Sequence, residues 1–217
     1  ERMYTPPAFR DDDPATIRQI VRDARLATLV TSTVDGLLAT PLPLYLTDEG
    51  DQGVLYGHIS KANGQWRAPV IGDGLAIFAG PDAYISPSWY PSKAEHGKVV
   101  PTWNYVAVHA YGPVEFFDDE ARLLEVVRAL TDRHEAERQT PWSVADAPPE
   151  YIRTQLRGIV GVRMPMVRID AKRKLSQNRS EADRAGVAEG LVHSMRESER
   201  TVGALMRAAL SPEGRAD

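Results

Sequence analysis

The chain contains no cysteine. That removes disulfide cross-links, thiolate nucleophiles, zinc–cysteine sites and iron–sulfur clusters from consideration. Long apolar runs are also missing: no stretch approaches the roughly 18 residues of a membrane-spanning helix, so no membrane partner is expected. Residues 1–13 are polar and proline-containing with no apolar core, so no secretory leader is expected and the cytoplasm is the expected compartment. The five histidines, at 58, 96, 109, 134 and 193, form neither HExxH nor another compact metal spacing, which argues against a zinc hydrolase. No GxSxG elbow, P-loop or GxGxxG fingerprint is present. An excess of basic charge is lacking as well. Lys plus Arg is 26 against 30 Asp plus Glu, a net charge of −4, so the chain is not built as a non-specific nucleic-acid binder.

What remains is an ordinary globular composition, 42% hydrophobic and 26% charged over 217 residues. A chain of this length can bury about 70% of its unfolded surface, enough for one sizeable core. Asp13-Pro14 starts a helix, with Asp as N-cap and Pro at N1, running to about Arg25. Residues 26–32 are β-rich and meet the turn signal Asp35-Gly36. Residues 38–46 are apolar but contain Pro41 and Pro43, which restricts them to an edge or irregular strand. Residues 54–60, 75–80 and 83–88 read as strands, the last two joined at Pro81-Asp82. Residues 87–98 read as loop, 106–117 as a long strand interrupted at Gly112-Pro113, and 159–169 as a last strand. Helices are expected over 119–138, from Pro149, and from Ser180, whose apolar positions are Val187, Leu191 and Met195. Short strands with turn signals and peripheral helices indicate a small barrel or sandwich rather than a doubly wound sheet.

Three segments carry chemistry. Residues 84–117 hold eight of the sixteen aromatics, interleaved with Ser86, Ser88, Lys93, Thr102 and Asn104. Such faces suit a planar heteroaromatic ligand, though aromatics also fill cores. His58-Ile59-Ser60-Lys61-Ala62-Asn63 stands where a strand gives way to a helical turn. It can receive a phosphate, or serve simply as a cap beside a solvated lysine. Residues 172–179 carry four cations and no acid, which suits an anion, a nucleic-acid backbone or a solvated strand end.

The sequence resembles a known family at several of these places. The 58–63 segment, Tyr84-Ile85-Ser86-Pro87-Ser88-Trp89-Tyr90, Val100-Pro101-Thr102-Trp103-Asn104-Tyr105 and Lys174-Leu175-Ser176-Gln177-Asn178-Arg179 are similar to signatures of the PaiB-type proteins. These are called FMN-binding negative transcriptional regulators. The opening Met3-Tyr4-Thr5-Pro6-Pro7-Ala8-Phe9 also resembles that family, so the resemblance runs from about residue 3 to about 205. It implies an α+β, mainly β fold: a split β-barrel of the pyridoxamine-phosphate-oxidase type with peripheral helices and a C-terminal helical segment. The implied organisation is a barrel over 1–179 with a helical extension over 180–217 packed on it. FMN is the implied cofactor and a homodimer the implied assembly. His58, Ile59, Ser60, Lys61, Ala62 and Asn63 would cradle the phosphate. Thr102, Trp103 and Asn104 would line the flavin, with Lys174 and Gln177 approaching from a C-terminal segment of this or another subunit. The family name adds DNA as a partner, against which stands the acidic charge. An FMN-dependent oxidoreductase acting on a small molecule is the alternative. A haem protein comes third, with His58, His109 or His193 as axial ligands. No catalytic acid or base is assigned.

Overall fold

The computed structural model describes residues 3–211. The ends of the expected N- and C-terminal segments, residues 1–2 and 212–217, lie outside the described residues. Among the described residues, nine strands form two antiparallel sheets. They are β1 (Ala27–Thr33), β2 (Gly36–Leu42), β3 (Leu44–Thr47), β4 (Val54–Ser60), β5 (Gly74–Ile85), β6 (Thr102–Gly112), β7 (Glu115–Phe117), β8 (Ile159–Pro165) and β9 (Arg168–Lys174). One sheet has the order β2-β1-β5-β6-β9, the other β3-β4-β8-β7. Six α-helices accompany them among the described residues: α1 (Pro14–Asp23), α2 (Ser92–His96), α3 (Glu120–Glu135), α4 (Pro149–Leu156), α5 (Glu181–Val192) and α6 (Glu197–Ala208). The class is α+β and mainly β. Among the described residues, no helix is long and apolar enough to cross a membrane.

The chain forms two compact units, each assembled from separated segments. The first takes in residues up to Ile17, Ala79–Val108 and everything from Asp170 onward; the second takes in Arg18–Phe78 and His109–Ile169. Strands β5 and β6 run through both.

In the second unit, β1 alternates strictly between buried and half-buried positions and pairs with β2 through a turn at Asp35-Gly36. Gly36 has φ of 118°, a conformation that a residue with a Cβ adopts only at a cost. Prolines 41 and 43 sit where the edge reading put them. Pro41 is in β2, the outermost strand of its sheet, and Pro43 immediately precedes β3, the outermost strand of the other. Helix α3 starts at Asp119, whose carboxylate accepts from Arg122 N at 2.9 Å. It buries Leu123, Val126 and Leu130 with Phe117 and Leu156. At roughly 1.5–3 kcal/mol per buried large apolar side chain, this stripe outweighs the helix's intrinsic propensity.

In the first unit, α5 is capped by the Ser180 hydroxyl, which accepts from Asp183 N at 3.2 Å. Val187, Ala188 and Leu191 of α5 meet Val202 and Met206 of α6 over Ala83, Ile85, Tyr90 and Leu175. Gly190 gives Trp89 room, because a Cβ there would stand 2.5 Å from the indole ring.

Five sequence expectations change. Residues 87–98, read as loop, hold a helical turn at Pro87–Trp89 and helix α2. Residues 75–80 and 83–88 belong mostly to one strand, β5, which continues through Pro81. Its register with β1 ends at Phe78, so the proline lies past the stretch where β1 needs a donor. Residues 159–169 divide into β8 and the start of β9, which belong to different sheets. Similarly, 106–117 divides into β6, beginning earlier at Thr102, and β7. Met195 lies beyond the end of α5 at 95% exposure, and a separate helix, α6, follows.

Candidate functional site

In the second unit, β4 delivers residues 58–63. Alternation puts Tyr56, His58 and Ser60 on one face, with Leu55, Gly57 and Ile59 buried on the other. The backbone beyond the strand is fully engaged. Lys61 N donates to Gly158 O at 2.8 Å, Ala62 N to Ser60 Oγ at 3.2 Å, and Asn63 N to Ser60 O at 2.9 Å. The amides of 61–63 are therefore not a free phosphate nest. Asn63 caps the helical turn Gly64–Arg67 by accepting from Gln65 N at 2.9 Å and donates to Thr40 Oγ1 at 2.8 Å. Gln65 is buried. Its amide nitrogen reaches Leu29 O, Thr31 Oγ1 and Leu38 O, and its oxygen accepts from Thr40 at 2.6 Å. One side chain thereby ties the strand end to β1 and β2.

The groups left for a ligand are side chains. The Ser60 hydroxyl is exposed and, accepting from Ala62 N, keeps its own proton to donate. Among the described residues, Lys61 Nζ meets only a loose partner, exposed Asp118 at 3.8 Å. The indole of Trp66 donates to Lys61 O at 3.0 Å, fixing the lysine's backbone but not its ammonium. Among the described residues, His58 Nδ1 is buried without a hydrogen-bond partner, and burial holds the imidazole below the usual histidine pKa, hence neutral. Lys61 also borders, with Arg157 and Glu120, a pocket of about 80 Å³. That is far below the ~300–1,000 Å³ of a site enclosing a whole cofactor.

In the first unit, Thr102 and Asn104 share the inward face of β6, while Trp103 points outward at 50% exposure. Trp103 meets Tyr84 edge-to-face with centroids 6.0 Å apart. Lys174 Nζ donates to Thr102 Oγ1 at 2.7 Å. Asn104, fully buried, donates to Ser176 Oγ at 3.0 Å and to Met206 Sδ at 3.4 Å, and accepts from Ser176. Ser176 holds φ of 63°, so the loop after β9 turns at a residue pinned by Asn104. Gln177 is turned back on its own loop. It accepts from Leu175 N at 2.7 Å and donates to Arg173 O at 2.5 Å.

The structure thus brings Thr102 to Lys174 and Asn104 to Ser176, while residues 58–63 belong to the other unit. Sequence reasoning passed over Asp118, Tyr84 as partner of Trp103, and the Thr40–Gln65 hub. The hub had no local signal, since its members come from three segments. Among the described residues, no group of three or more acidic or histidine side chains could hold a metal. His193 is exposed and pairs with Glu189 at 2.9 Å.

A family model described as "Putative FMN-binding domain" matches residues 3–168. The chain is 34% identical over 212 residues to the protein of Bacillus subtilis called protease synthase and sporulation protein PAI 2, covering 97% of this chain and 100% of that one. Among solved structures, the FAD and haem binding protein from Mycobacterium smegmatis superposes with a TM-score of 0.57 at 14% identity, covering 80% of this chain and 78% of that one. A flavocytochrome from Azotobacter vinelandii gives 0.55 at 20% identity, covering 82% and 75%. The fold is the split β-barrel type.

Proposed function

This chain belongs to that FMN-binding family, and from that premise we propose that it acts as a flavin-dependent regulator of the PaiB type, assembled as a homodimer. FMN is its cofactor. When bound, FMN supplies reversible electron transfer through its ring system.

The single observation that carries the placement is at the end of β4: an ammonium with only a loose, exposed partner on a backbone whose own donors are all engaged. Lys61 neutralises the phosphate there and the Ser60 hydroxyl donates to it, on a frame that Asn63 and Gln65 hold still. His58, Ile59 and Ala62 shape that strand end. Separately, the exposed indole of Trp103 offers a flat face to an aromatic ring, and on the other face of β6 Thr102 holds the Lys174 ammonium, a cation for the flavin's polar edge or phosphate. Asn104, being fully buried, acts from behind by fixing the loop of Ser176, and Gln177 stiffens the same loop. The homodimer reading is supported by the β1–β2 hairpin at the sheet edge, where Val34 of the turn and Leu37 of β2 are 80% and 73% exposed. DNA as a regulatory partner enters through the name of the PaiB-type family alone, and the net charge of −4 stands against it.

The test is the absorption spectrum of the purified protein, followed by anaerobic NADH or NADPH and by operator binding across salt. A bound flavin that the nicotinamides leave oxidised, with salt-dependent DNA binding, supports the regulator. Rapid bleaching without DNA binding moves the reading to an FMN-dependent oxidoreductase.

A further inference from the structure

We infer that the cleft at the ends of α1 and α3, within the second unit, is a binding site for a small polyphosphate. The cleft has a volume of about 630 Å³, is lined by Arg22, Arg25, Arg133 and Arg138 with His134, and shares no residue with the flavin site described above. That volume falls in the range of sites for small molecules.

The charge balance is the first argument. Four guanidinium groups face two carboxylates, Asp23 and Glu137, in a chain whose net charge is −4. Asp23 is already engaged, accepting from Gln19 at 2.7 Å. Arg22 lies 3.6 Å from Asp48, but Arg18 holds that same carboxylate oxygen at 2.7 Å. Arg138 has only a 3.8 Å contact with Glu135. Arg25 and Arg133 have no ion pair among the described residues, so the guanidinium charge of the cleft is largely uncommitted.

Helix ends account for only part of it. Arg22, Arg133 and His134 fall in the last turns of α1 and α3, where cations complement the helix dipole. Arg25 and Arg138 lie beyond those helices, where that role does not call for them. Planar guanidinium forks match phosphate oxygens in pairs, which several converging arginines exploit and scattered surface cations do not.

The lining also says what the ligand lacks. No aromatic residue borders the cleft, so there is no platform for a base or ring, and recognition is by charge. A concave, local patch on an acidic chain suits a compact polyanion. An extended nucleic acid would need a longer basic face.

The experiment uses the full chain loaded with FMN, titrated calorimetrically at moderate salt with tripolyphosphate, pyrophosphate, orthophosphate and citrate. Tripolyphosphate is expected to bind tightest and orthophosphate weakest. Arg25→Gln and Arg133→Gln should each weaken tripolyphosphate by about tenfold or more. Flavin absorption and thermal unfolding should stay as in the parent. Arg128→Gln, outside the cleft lining, should change nothing. Absence of tripolyphosphate binding, or an equal loss in Arg128→Gln, overturns the site. Citrate binding as tightly as tripolyphosphate overturns the phosphate assignment. Duplex DNA outcompeting tripolyphosphate through the same two arginines overturns the small-ligand assignment in favour of nucleic acid.

Discussion

Lys174 Nζ donates to Thr102 Oγ1 at 2.7 Å, while the adjacent Arg173 reaches the opposite way to Asp11 at 3.2 Å. Strand alternation thus sorts two neighbouring cations into different jobs. Lys174→Ala should weaken FMN binding or shift the flavin absorption. Arg173→Ala should leave both unchanged and lower stability by up to about 1 kcal/mol through its partly buried ion pair. Flavin titration and thermal unfolding of both variants check this. Equal flavin effects from the two would defeat the assignment.

Lys61→Ala should weaken FMN by roughly 10- to 100-fold, the loss of one charge-assisted contact of about 1.5–3 kcal/mol. The unfolding temperature should barely move, because the 3.8 Å pair with Asp118 is loose and exposed. An unchanged FMN dissociation constant at moderate salt returns Lys61 to a solvated side chain.

Asn104→Ala should destabilise the fold by about 1–3 kcal/mol, since Ser176 loses its partner in a fully buried site. Trp103→Ala, half exposed, should cost less stability and affect flavin more. Denaturant unfolding of the two variants measures the contrast.

The Asp183 carboxylate is 4% exposed. Burial pushes its pKa up. Donation from Ser92 Oγ at 2.8 Å and Ser92 N at 3.1 Å, with Arg179 and Ser180 nearby, more than reverses that and holds it below the ordinary 3.8. Because the folded value is the lower one, this stabilisation is fully present above about pH 3.8 and is lost as pH falls through the folded value. Ser92→Ala should therefore be less stable than the parent at neutral pH, by a margin that narrows as pH drops below 3.8. A margin constant from pH 6 to pH 3 in thermal scans would count against it.

Sedimentation should give twice the 24.0 kDa chain mass. Stable dimers commonly bury about 2,000 Å² or more, so dilution should not split the wild type. Leu37→Glu, placing a charge on the exposed edge of β2, should yield monomers. A wild-type monomer that retains FMN removes the dimer.

Elements written in one continuous stretch were legible in the sequence. β4 falls on Val54–Ser60 as expected, because an apolar strand sits between two clear punctuations. Pro41 and Pro43 announced two sheet edges. The misreadings occurred where a strand passes from one neighbour to another. Pro81 does not stop β5, and β8 gives way to β9 within two residues without a glycine turn. Helix α6 had a signal in Val202 and Met206, obscured by reading Met195 as part of the preceding stripe. For the site, residue types were legible but their duties were not. Asn63, Asn104 and Gln177 all carry amides suited to a ligand, yet each spends its hydrogen bonds on the protein. For Asn63 and Asn104 the partners lie 23 and 72 residues away, which local spacing does not encode, while Gln177 is turned back within four residues by the loop at Ser176.

The Gln65 hub has a consequence for kinetics. Because Gln65 and Asn63 lock the end of β4 to β1 and β2 beforehand, an arriving phosphate has no backbone to organise there. What it must immobilise is the lysine side chain, at up to about 2 kcal/mol of rotamer entropy. The phosphate end of the cofactor should then dock in one kinetic phase, without a slow rearrangement following contact.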